Sequence, residues 1–326
     1  MQFLDQFKDK KILHYSHNDL DGIMSTVIGF YYFKPIAYMY DTYNSDQYDC
    51  NDYDLHKFKE YDIVIFTDFS PEENVINYMN ENSIDYLIFD HHISRKENLE
   101  NLAGNKYIFD NSKCGCKIFF DTITKGIRVK KVVYQAVEYT NVYDLYQMQS
   151  SLWREAKGLN NILWGMTSWF SDLQSTAKHQ KFIDAMLYKF SFEKVFYLSK
   201  YEINLMEKAE QKEKDNYEIA KKDLSIRIDN SGNKYAYFEC SSKVSIVSNW
   251  MLQEKPDLKY IICHATFDDK NGLKPKVSIR SLEDRGIDCA SIASIYNGGG
   301  HKCSSGIEFK NFEDFDRLRK GKMHLI

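Results

Sequence analysis

Three apolar runs in the first part of the chain each end in Asp or His, and this pattern limits the fold more than any other feature. Residues 12–15 lead into His17, Asp19 and Asp21, residues 63–66 lead into Asp68, and residues 86–89 lead into Asp90, His91 and His92. Helical patterns lie between these runs, which is typical of βαβ units. Because the carboxyl ends of parallel strands meet at one edge of an open sheet, we expect these side chains to lie together there.

The first part of the chain is therefore predicted to be an α/β domain with a parallel sheet flanked by helices. Helical spacing covers residues 22–30 and 71–82, and Ser70 stands where the N-cap of the second helix is expected. Residues 36–40 form another apolar run, and the polar stretch 41–54 after it is predicted to be a loop.

Residues 113–190 are mainly helical in pattern. Ser112 is the expected N-cap of the first of these helices, with donation to a phosphate as the alternative. Cys114 and Cys116, on either side of Gly115, lack the second pair that a zinc site needs. We therefore assign them to helix packing.

A long, charged segment without Gly or Pro follows over residues 191–225, and we predict that it is a helix connecting two domains. The first domain would cover 1–190 and the second, smaller one 226–326. A solvated surface helix within a single domain is the alternative. Strand-like and helical runs alternate after this segment, over residues 235–239, 241–253, 260–264, 276–279 and 289–296. They predict a second α/β domain.

The bulk properties exclude a chain coated in phosphate-binding cations, because the net charge is −4. The part before residue 226 is the more acidic, which suits carboxylates gathered around cations. Seven cysteines, an odd number without a regular framework, favour a reducing compartment. We find no signal-peptide pattern and no apolar run of membrane-spanning length, so we predict a cytoplasmic protein without a membrane partner.

The acidic and imidazole residues indicate a metal site when they are taken together. Each has an ordinary alternative, since the Asp residues could cap helices or face solvent and the His pair could lie on the surface. Gly22 would allow tight backbone geometry next to the first cluster. The combined set has two imidazoles and four carboxylates: His17, Asp19, Asp21, Asp68, His91 and Asp144. Such a set is too acidic for structural zinc and suits two adjacent divalent ions, Mn²⁺ first and Mg²⁺ as the alternative.

These segments, in this order and at these separations, resemble the DHH phosphoesterase superfamily. The later segments Val277-Ser278-Ile279-Arg280-Ser281 and Gly298-Gly299-Gly300-His301-Lys302 resemble its DHHA1 companion domain. The resemblance implies an N-terminal DHH domain with a parallel sheet flanked by helices, plus a smaller C-terminal α/β DHHA1 domain. The chain is most similar to the compact two-domain type, related to RecJ, that degrades short oligonucleotides, linear dinucleotides and in some cases pAp.

The resemblance also implies roles for individual residues. His17, Asp19 and Asp68 would hold one metal ion. The other ion would be held by Asp21, Asp68, His91 and Asp144, with Asp68 bridging the two. His92 would contact the scissile phosphate, and the substrate would be gripped by Arg280, Gly298, Gly299, Gly300 and His301. Many compact relatives place the first histidine four residues before the first motif Asp, where this chain has Tyr15, and His14 lies one residue further away.

We thus predict a two-metal-ion phosphodiesterase that cleaves short single-stranded RNA or DNA, or linear dinucleotides, to mononucleotides through a metal-bridging hydroxide. A RecJ-like single-stranded DNA exonuclease is the nearest alternative. A nucleotide-binding regulator with weak hydrolase activity and a pyrophosphatase are two others. The sequence leaves open the polarity of cleavage and the oligomeric state, with a homodimer as one option.

Overall fold

The computed structural model describes most of the chain and divides it into two compact units, Met1–Met206 and Glu207–Ile326. The described residues are 3–45, 55–93, 96–167, 175–240, 242–269, 272–309 and 312–320. Residues 46–54 of the predicted loop lie outside them. None of the helices in the described part is long and apolar enough to cross a bilayer.

The sheet of the first unit has five parallel strands in the order β2-β1-β3-β4-β5. Its strands are β1 (Lys11–His17), β2 (Met39–Ser45), β3 (Ile63–Thr67), β4 (Tyr86–Asp90) and β5 (Tyr107–Phe109). The central strands are buried along most of their length because helices cover both faces of the sheet. The predicted parallel sheet is therefore confirmed.

Nine α-helices of the described part begin in the first unit. They are α1 (Leu20–Tyr32), α2 (Glu73–Glu81), α3 (Lys96–Ala103), α4 (Gly115–Ile123), α5 (Lys131–Asp144), α6 (Trp153–Met166), α7 (Ser175–Lys178), α8 (Gln180–Phe192) and α9 (Lys200–Asp223). One apolar cluster joins the sheet to α1, α4, α5, α6 and α8. A second cluster joins the other face to α2 and α3. The Asp and His residues at the strand ends belong to neither cluster.

Three local predictions for this unit are wrong. Residues 41–45, predicted as loop, belong to β2, because pairing with β1 outweighs their polar composition. Ser70 is not the N-cap of α2, which begins after Glu72, since the Ser70 hydroxyl donates to the Asp90 carboxylate instead. Ser112 does not cap α4 either, because its hydroxyl donates to Asp110 Oδ1 at 2.6 Å and Cys114 takes the cap position.

The helix α9 runs through the point where the two units divide, and it begins at Lys200 rather than at the predicted residue 191. The predicted domain limits at 190 and 226 stay predictions.

The second unit is built on a mixed sheet in the order β10-β11-β9-β8-β7-β6, in which only β7 and β8 are parallel among the described strands. Its elements are β6 (Ser225–Ile228), β7 (Lys234–Glu239), α10 (Val244–Glu254), β8 (Tyr260–Asp269), β9 (Gly272–Ser281), α11 (Cys289–Ser294), β10 (Gly299–His301), β11 (Ser304–Glu308) and α12 (Phe312–Arg319). Separate apolar clusters cover its two faces. The predicted second α/β domain is confirmed.

Candidate metal centre

The strand order of the first unit creates a switch point between β1 and β3. The chain leaves β1 towards β2 on one side and returns to β3 on the other, so a crevice opens beyond the carboxyl ends of these strands. His17 ends β1 and Asp68 follows β3. Gly22 keeps the turn after β1 tight, because a Cβ there would come within 2.1 Å of the His17 carbonyl oxygen. The strand ends therefore meet at one edge, as their parallel order requires.

Asp68 lies at the middle of this crevice in an unusual backbone conformation. Its φ is 63°, in the left-handed region that non-glycine residues adopt infrequently. Its backbone N–H donates to the Phe89 carbonyl at 2.9 Å, which extends the β3–β4 pairing by one residue. Asp68 Oδ2 then lies 3.3 Å from His17 Nδ1, and Asp68 Oδ1 lies 3.3 Å from His91 Nε2. One carboxylate thus stands between two imidazoles.

The first turn of α4 holds a second carboxylate, that of Asp21. The backbone N–H groups of Gly115 and Cys116 donate to Asp21 Oδ2 and Oδ1, each at 2.7 Å. A helix N-terminus is a favourable place for an anion because its first N–H groups have no partner within the helix. Gly115 is required there, since a Cβ would lie 2.6 Å from both Cα and N of Asp68.

The fourth strand and α5 complete the cluster. His91 follows β4, and Asp144 is the last residue of α5. His91 Nε2 lies 3.5 Å from Asp144 Oδ2 and 4.0 Å from Asp21 Oδ2. The imidazole therefore faces several carboxylates at once.

The potential ligand atoms form three overlapping groups, each with all its atoms within 4.8 Å of one another: His17, Asp19 and Asp68; Asp21, His91 and Asp144; and Asp68, His91 and His92. The first two groups contain every residue that the sequence suggested as a metal ligand. Asp68 and His91 each belong to two groups, which is the arrangement that neighbouring ions need.

Unsatisfied buried atoms test whether this site fits cations. Within the described residues, Asp68 Oδ2, His91 Nε2 and Asp144 Oδ2 are buried and have no hydrogen-bond partner. Leaving such atoms unpaired is costly, and all three lie in the same cluster. Carboxylate oxygens with imidazole nitrogens are ligands that Mn²⁺ accepts and that Mg²⁺ accepts in part. The residues present therefore fit divalent cations.

Electrostatics lead to the same conclusion. Burial, followed by repulsion from the neighbouring carboxylate of Asp68, raises the pKa of Asp21 well above its usual range. Burial and the charges of Asp19 and Asp144 raise the pKa of Asp68 in the same way. The pKa of Asp144 is raised to about 7 by burial and by Asp21. Carboxylates that repel one another this strongly are stabilised as anions by an added cation.

His92 is held by a different carboxylate, that of Asp90. Its Nδ1 lies 2.7 Å from Asp90 Oδ1, which also accepts the backbone N–H groups of His91 and His92. Burial alone would lower the pKa of His92, but the hydrogen bond and charge of Asp90 outweigh it and raise the pKa to about 9. The imidazole is therefore cationic at neutral pH.

Sequence reasoning missed two residues of this site. Asp90 was noticed only as part of the triplet, although its position before two histidines was a usable signal. Gly115 gave no signal, because its partner Asp21 lies 94 positions away in the chain.

Apart from His92, the predicted substrate residues lie in the second unit. The Nη1 of Arg280 donates to the carbonyls of Ile279 and Ser305, and its Nε donates to Ser245 Oγ at 3.3 Å. The glycines Gly299 and Gly300 are exposed and form β10 with His301, paired with β11. Gly300 has a φ of 138°, which favours glycine. Their contact with substrate stays a prediction.

The fold and the site together define an α/β protein with a crevice of acidic and imidazole side chains at the switch point of a parallel sheet. Residues 11–145, which contain that entire crevice, match the family described as "DHH family, N-terminal domain". This part of the chain is therefore a DHH-family N-terminal domain. No curated protein matches the chain.

Several solved structures share the fold at low sequence identity. A DHH domain that is described as belonging to a family of ribosomal proteins is 12% identical with a TM-score of 0.64, over 99% of this chain and 88% of that chain. RecJ from Thermus thermophilus, in complex with Mn²⁺, is 13% identical with a TM-score of 0.58, over 98% of this chain but 52% of its own. The pGpG-specific phosphodiesterase PggH from Vibrio cholerae is 14% identical with a TM-score of 0.52, over 96% and 97%.

Proposed function

We propose that this protein is a metal-dependent phosphodiesterase that cleaves short single-stranded oligonucleotides or linear dinucleotides to mononucleotides. The observation that carries the proposal is the convergence of four carboxylates and two imidazoles at the switch point of the sheet, where three buried ligand atoms have no hydrogen-bond partner. Asp68 is central, because its carboxylate belongs to two of the three ligand groups and lies between the imidazoles of His17 and His91.

The side chains divide the chemical work. When bound, two divalent ions would supply Lewis-acid activation of water and neutralise charge on the phosphate. His17, Asp19 and Asp68 would hold one ion, and Asp21, His91 and Asp144 would hold the other together with Asp68. The α4 N-terminus keeps Asp21 oriented for this task.

His92 is the residue that we propose for contact with the scissile phosphate. Its Nδ1 is engaged by Asp90, so Nε2 is the nitrogen that would donate to a phosphate oxygen. A cationic imidazole favours the transition state, in which negative charge accumulates on those oxygens. In the second unit, Arg280 and the Gly298–Gly300 stretch with His301 are the proposed substrate contacts, since a guanidinium and glycine backbone suit a phosphate.

Proteins with this fold support a phosphoester substrate, since one is a pGpG-specific phosphodiesterase and another is RecJ in complex with Mn²⁺. The likeness covers 97% of the former and 52% of the Thermus RecJ. We therefore place short substrates before long single-stranded DNA. A nucleotide-binding regulator is the third candidate.

The test is a hydrolysis assay with the full chain, freed of metal with EDTA and resupplied with Mn²⁺ or Mg²⁺. End-labelled RNA and DNA of two to ten nucleotides, pGpG, pAp, pyrophosphate and long single-stranded DNA are compared by initial rate. We expect Mn²⁺-dependent release of mononucleotides, fastest on the shortest chains. Comparing substrates labelled at the 5′ end with substrates labelled at the 3′ end shows which end is released first, and this gives the polarity of cleavage.

Each alternative has its own signature in this assay. A rate that rises with DNA length would favour the RecJ-like activity, and cleavage of pyrophosphate alone would favour a pyrophosphatase. Binding of nucleotides without turnover at any metal concentration would leave only the regulator.

A further inference from the structure

A chain of buried hydrogen bonds lies directly beneath the metal centre, and nothing in the proposed mechanism uses it. His14, Ser16 and Thr67 are almost fully buried. His14 Nδ1 lies 2.6 Å from the Tyr40 hydroxyl and His14 Nε2 lies 2.8 Å from Thr67 Oγ1. The Ser16 hydroxyl lies 2.7 Å from Thr67 Oγ1 and 3.0 Å from the Thr67 carbonyl oxygen. We call these four residues, Tyr40, His14, Thr67 and Ser16, the buried relay.

One arrangement of protons satisfies every group in the buried relay. A carbonyl oxygen only accepts, so the Ser16 hydroxyl donates to it and the Thr67 hydroxyl in turn donates to Ser16. Thr67 Oγ1 must then accept from His14 Nε2–H. Burial lowers the pKa of His14 to about 3, so its ring is neutral and its bare Nδ1 accepts from Tyr40. The direction of donation thus runs from Tyr40 through His14, Thr67 and Ser16 to the backbone.

Helix α1 packs closely against the start of the buried relay. Gly29 of α1 faces the start of the relay, where a Cβ would lie 1.8 Å from the Tyr40 hydroxyl oxygen and 3.3 Å from His14 Nδ1. The absence of that Cβ is what admits the Tyr40 hydroxyl. An apolar residue at position 14 would fill this space without any hydrogen bond, so packing by itself does not require the imidazole.

The relay ends on the peptide that sets the direction of Asp68. Its last acceptor is the carbonyl of Thr67, the residue just before the left-handed turn at Asp68. The N–H of the same Thr67–Asp68 peptide is held by Phe89. Both sides of this peptide plane are therefore fixed, and the carboxylate that follows is directed between His17 and His91.

We propose that His14 is a positioning residue of the metal centre, which acts through Thr67 to hold the Asp68 carboxylate where two cations can share it. The two ring nitrogens of His14 bond to Tyr40 and Thr67, neither of which is a proposed ligand. The inference rests on the metal site of the proposed function. Partners one step removed from a metal commonly change its affinity by about tenfold to a hundredfold.

The first test is the protonation state of His14 in the metal-free full-length protein. Long-range ¹H–¹⁵N NMR of the imidazoles should give a neutral His14 ring with its proton on Nε2, unchanged from about pH 5 to 9. A proton on Nδ1, or a ring that titrates in that range, would overturn the direction of the relay.

The second test is Mn²⁺ affinity by calorimetry. Thr67→Val keeps the shape of the side chain and removes the central hydroxyl, so we expect affinity to fall by about tenfold or more. Tyr40→Phe removes only the first donor and should weaken binding less. Thr124→Val is the matched control, because that buried hydroxyl donates to the Phe120 carbonyl in α4 and should leave affinity unchanged.

The outcomes separate this inference from the proposed function. Equal Mn²⁺ affinity in wild type and Thr67→Val would overturn the role of His14 and leave the phosphodiesterase intact. Failure of the wild type to bind Mn²⁺ would overturn both. Thermal midpoints in EDTA identify a general loss of folding stability, because such a loss would lower the midpoints of Thr67→Val and Thr124→Val alike.

Discussion

At the scale of single residues, Asp68 has an unfavourable backbone conformation and an unfavourable electrostatic environment in the candidate metal centre. Asp68 adopts a left-handed φ and is buried among other carboxylates, and both features cost free energy in the protein without metal. Hydrogen bonds and packing elsewhere must offset that cost. Such strain is typical of sites where function and stability compete.

Asp68→Asn should therefore stabilise the metal-free protein while it removes the proposed shared ligand. The amide has the same shape and tolerates the same φ, but it removes a charge that Asp19 and Asp144 repel. We expect the free energy of unfolding in EDTA to rise by about 1 kcal/mol. Urea unfolding with EDTA and with Mn²⁺ measures it, and the stabilisation by Mn²⁺ should be largely lost.

Asp184→Asn, on the exposed side of α8, is the control for Asp68→Asn. It should change neither the free energy of unfolding in EDTA nor the stabilisation by Mn²⁺. Unchanged stabilisation by Mn²⁺ in Asp68→Asn would contradict the shared-ligand role of Asp68.

Asp90→Asn should lower the pKa of His92 from about 9 towards the usual range of histidine. The neutral amide keeps a hydrogen-bond partner for Nδ1 and removes the charge that stabilises the imidazolium. As pH rises, the hydrolysis rate of Asp90→Asn should therefore begin to fall at a lower pH than the rate of the wild type. NMR titration of His92 measures the pKa, and Asp110→Asn, a surface carboxylate bonded to Ser112, is the control. A pKa that stays near 9 would refute the role of Asp90.

At the scale of elements, the N-terminus of α4 contacts two aspartates of the site. Its first two N–H groups bind Asp21, and Gly115 packs against the backbone of Asp68. One helix end thus sets the position of two carboxylates from different parts of the chain, since Asp21 lies in the first turn of α1 and Asp68 follows β3. The Cys-Gly-Cys segment, assigned to packing from the sequence, has this second role because of its glycine.

Gly115→Ala should disturb both carboxylates, since the new methyl group would meet backbone atoms of Asp68 that cannot move aside. We expect Mn²⁺ affinity to fall by about tenfold to a hundredfold, with a stability loss of about 1–3 kcal/mol from overpacking. Calorimetry and urea unfolding measure the two effects separately.

Gly165→Ala in α6 is the matched control, because there the methyl group would meet only side-chain atoms of Leu205, at 3.1–3.3 Å. Its Mn²⁺ affinity should equal that of the wild type. If Gly115→Ala also binds Mn²⁺ normally, α4 does not position the ligands.

At the scale of the whole molecule, the buried carboxylates link pH, metal and stability. Asp144 has its pKa raised to about 7, so the folded protein binds more protons than the unfolded chain between about pH 4 and 7. The stability of the metal-free protein should therefore fall as pH rises through that range. Metal binding requires the deprotonated form, so the stabilisation by Mn²⁺ should increase with pH.

Thermal midpoints from about pH 5 to 8, with EDTA and with Mn²⁺, measure both trends. Asp144→Asn should flatten the decline in EDTA. An increase in metal-free stability over this range would contradict the raised pKa of Asp144.

Arg280→Ala tests the contribution of the second unit. The guanidinium that we propose for substrate phosphate should act mainly in binding, so KM should rise by about tenfold with a smaller change in kcat. Steady-state kinetics on a labelled dinucleotide measure it. Arg317→Ala, an exposed residue of α12, is the control, and an unchanged KM in Arg280→Ala would remove Arg280 from the substrate site.

The sequence by itself determined the parallel sheet and the ends of its strands. A strand buried on both faces is mainly apolar, and polar side chains follow where the strand leaves the core, so β1, β3 and β4 could be located from local pattern. The same logic predicts that His17, Asp68 and His91 lie at one edge of the sheet.

Only the tertiary structure decided which polar groups meet. Ser70 and Ser112 have the sequence pattern of helix caps, yet their hydroxyls donate to the carboxylates of Asp90 and Asp110 instead. Asp21 meets Gly115 across 94 positions, and His14 meets Thr67 across 53. Periodicity reports burial along a single element, whereas hydrogen bonds depend on the distance between elements, which packing alone sets.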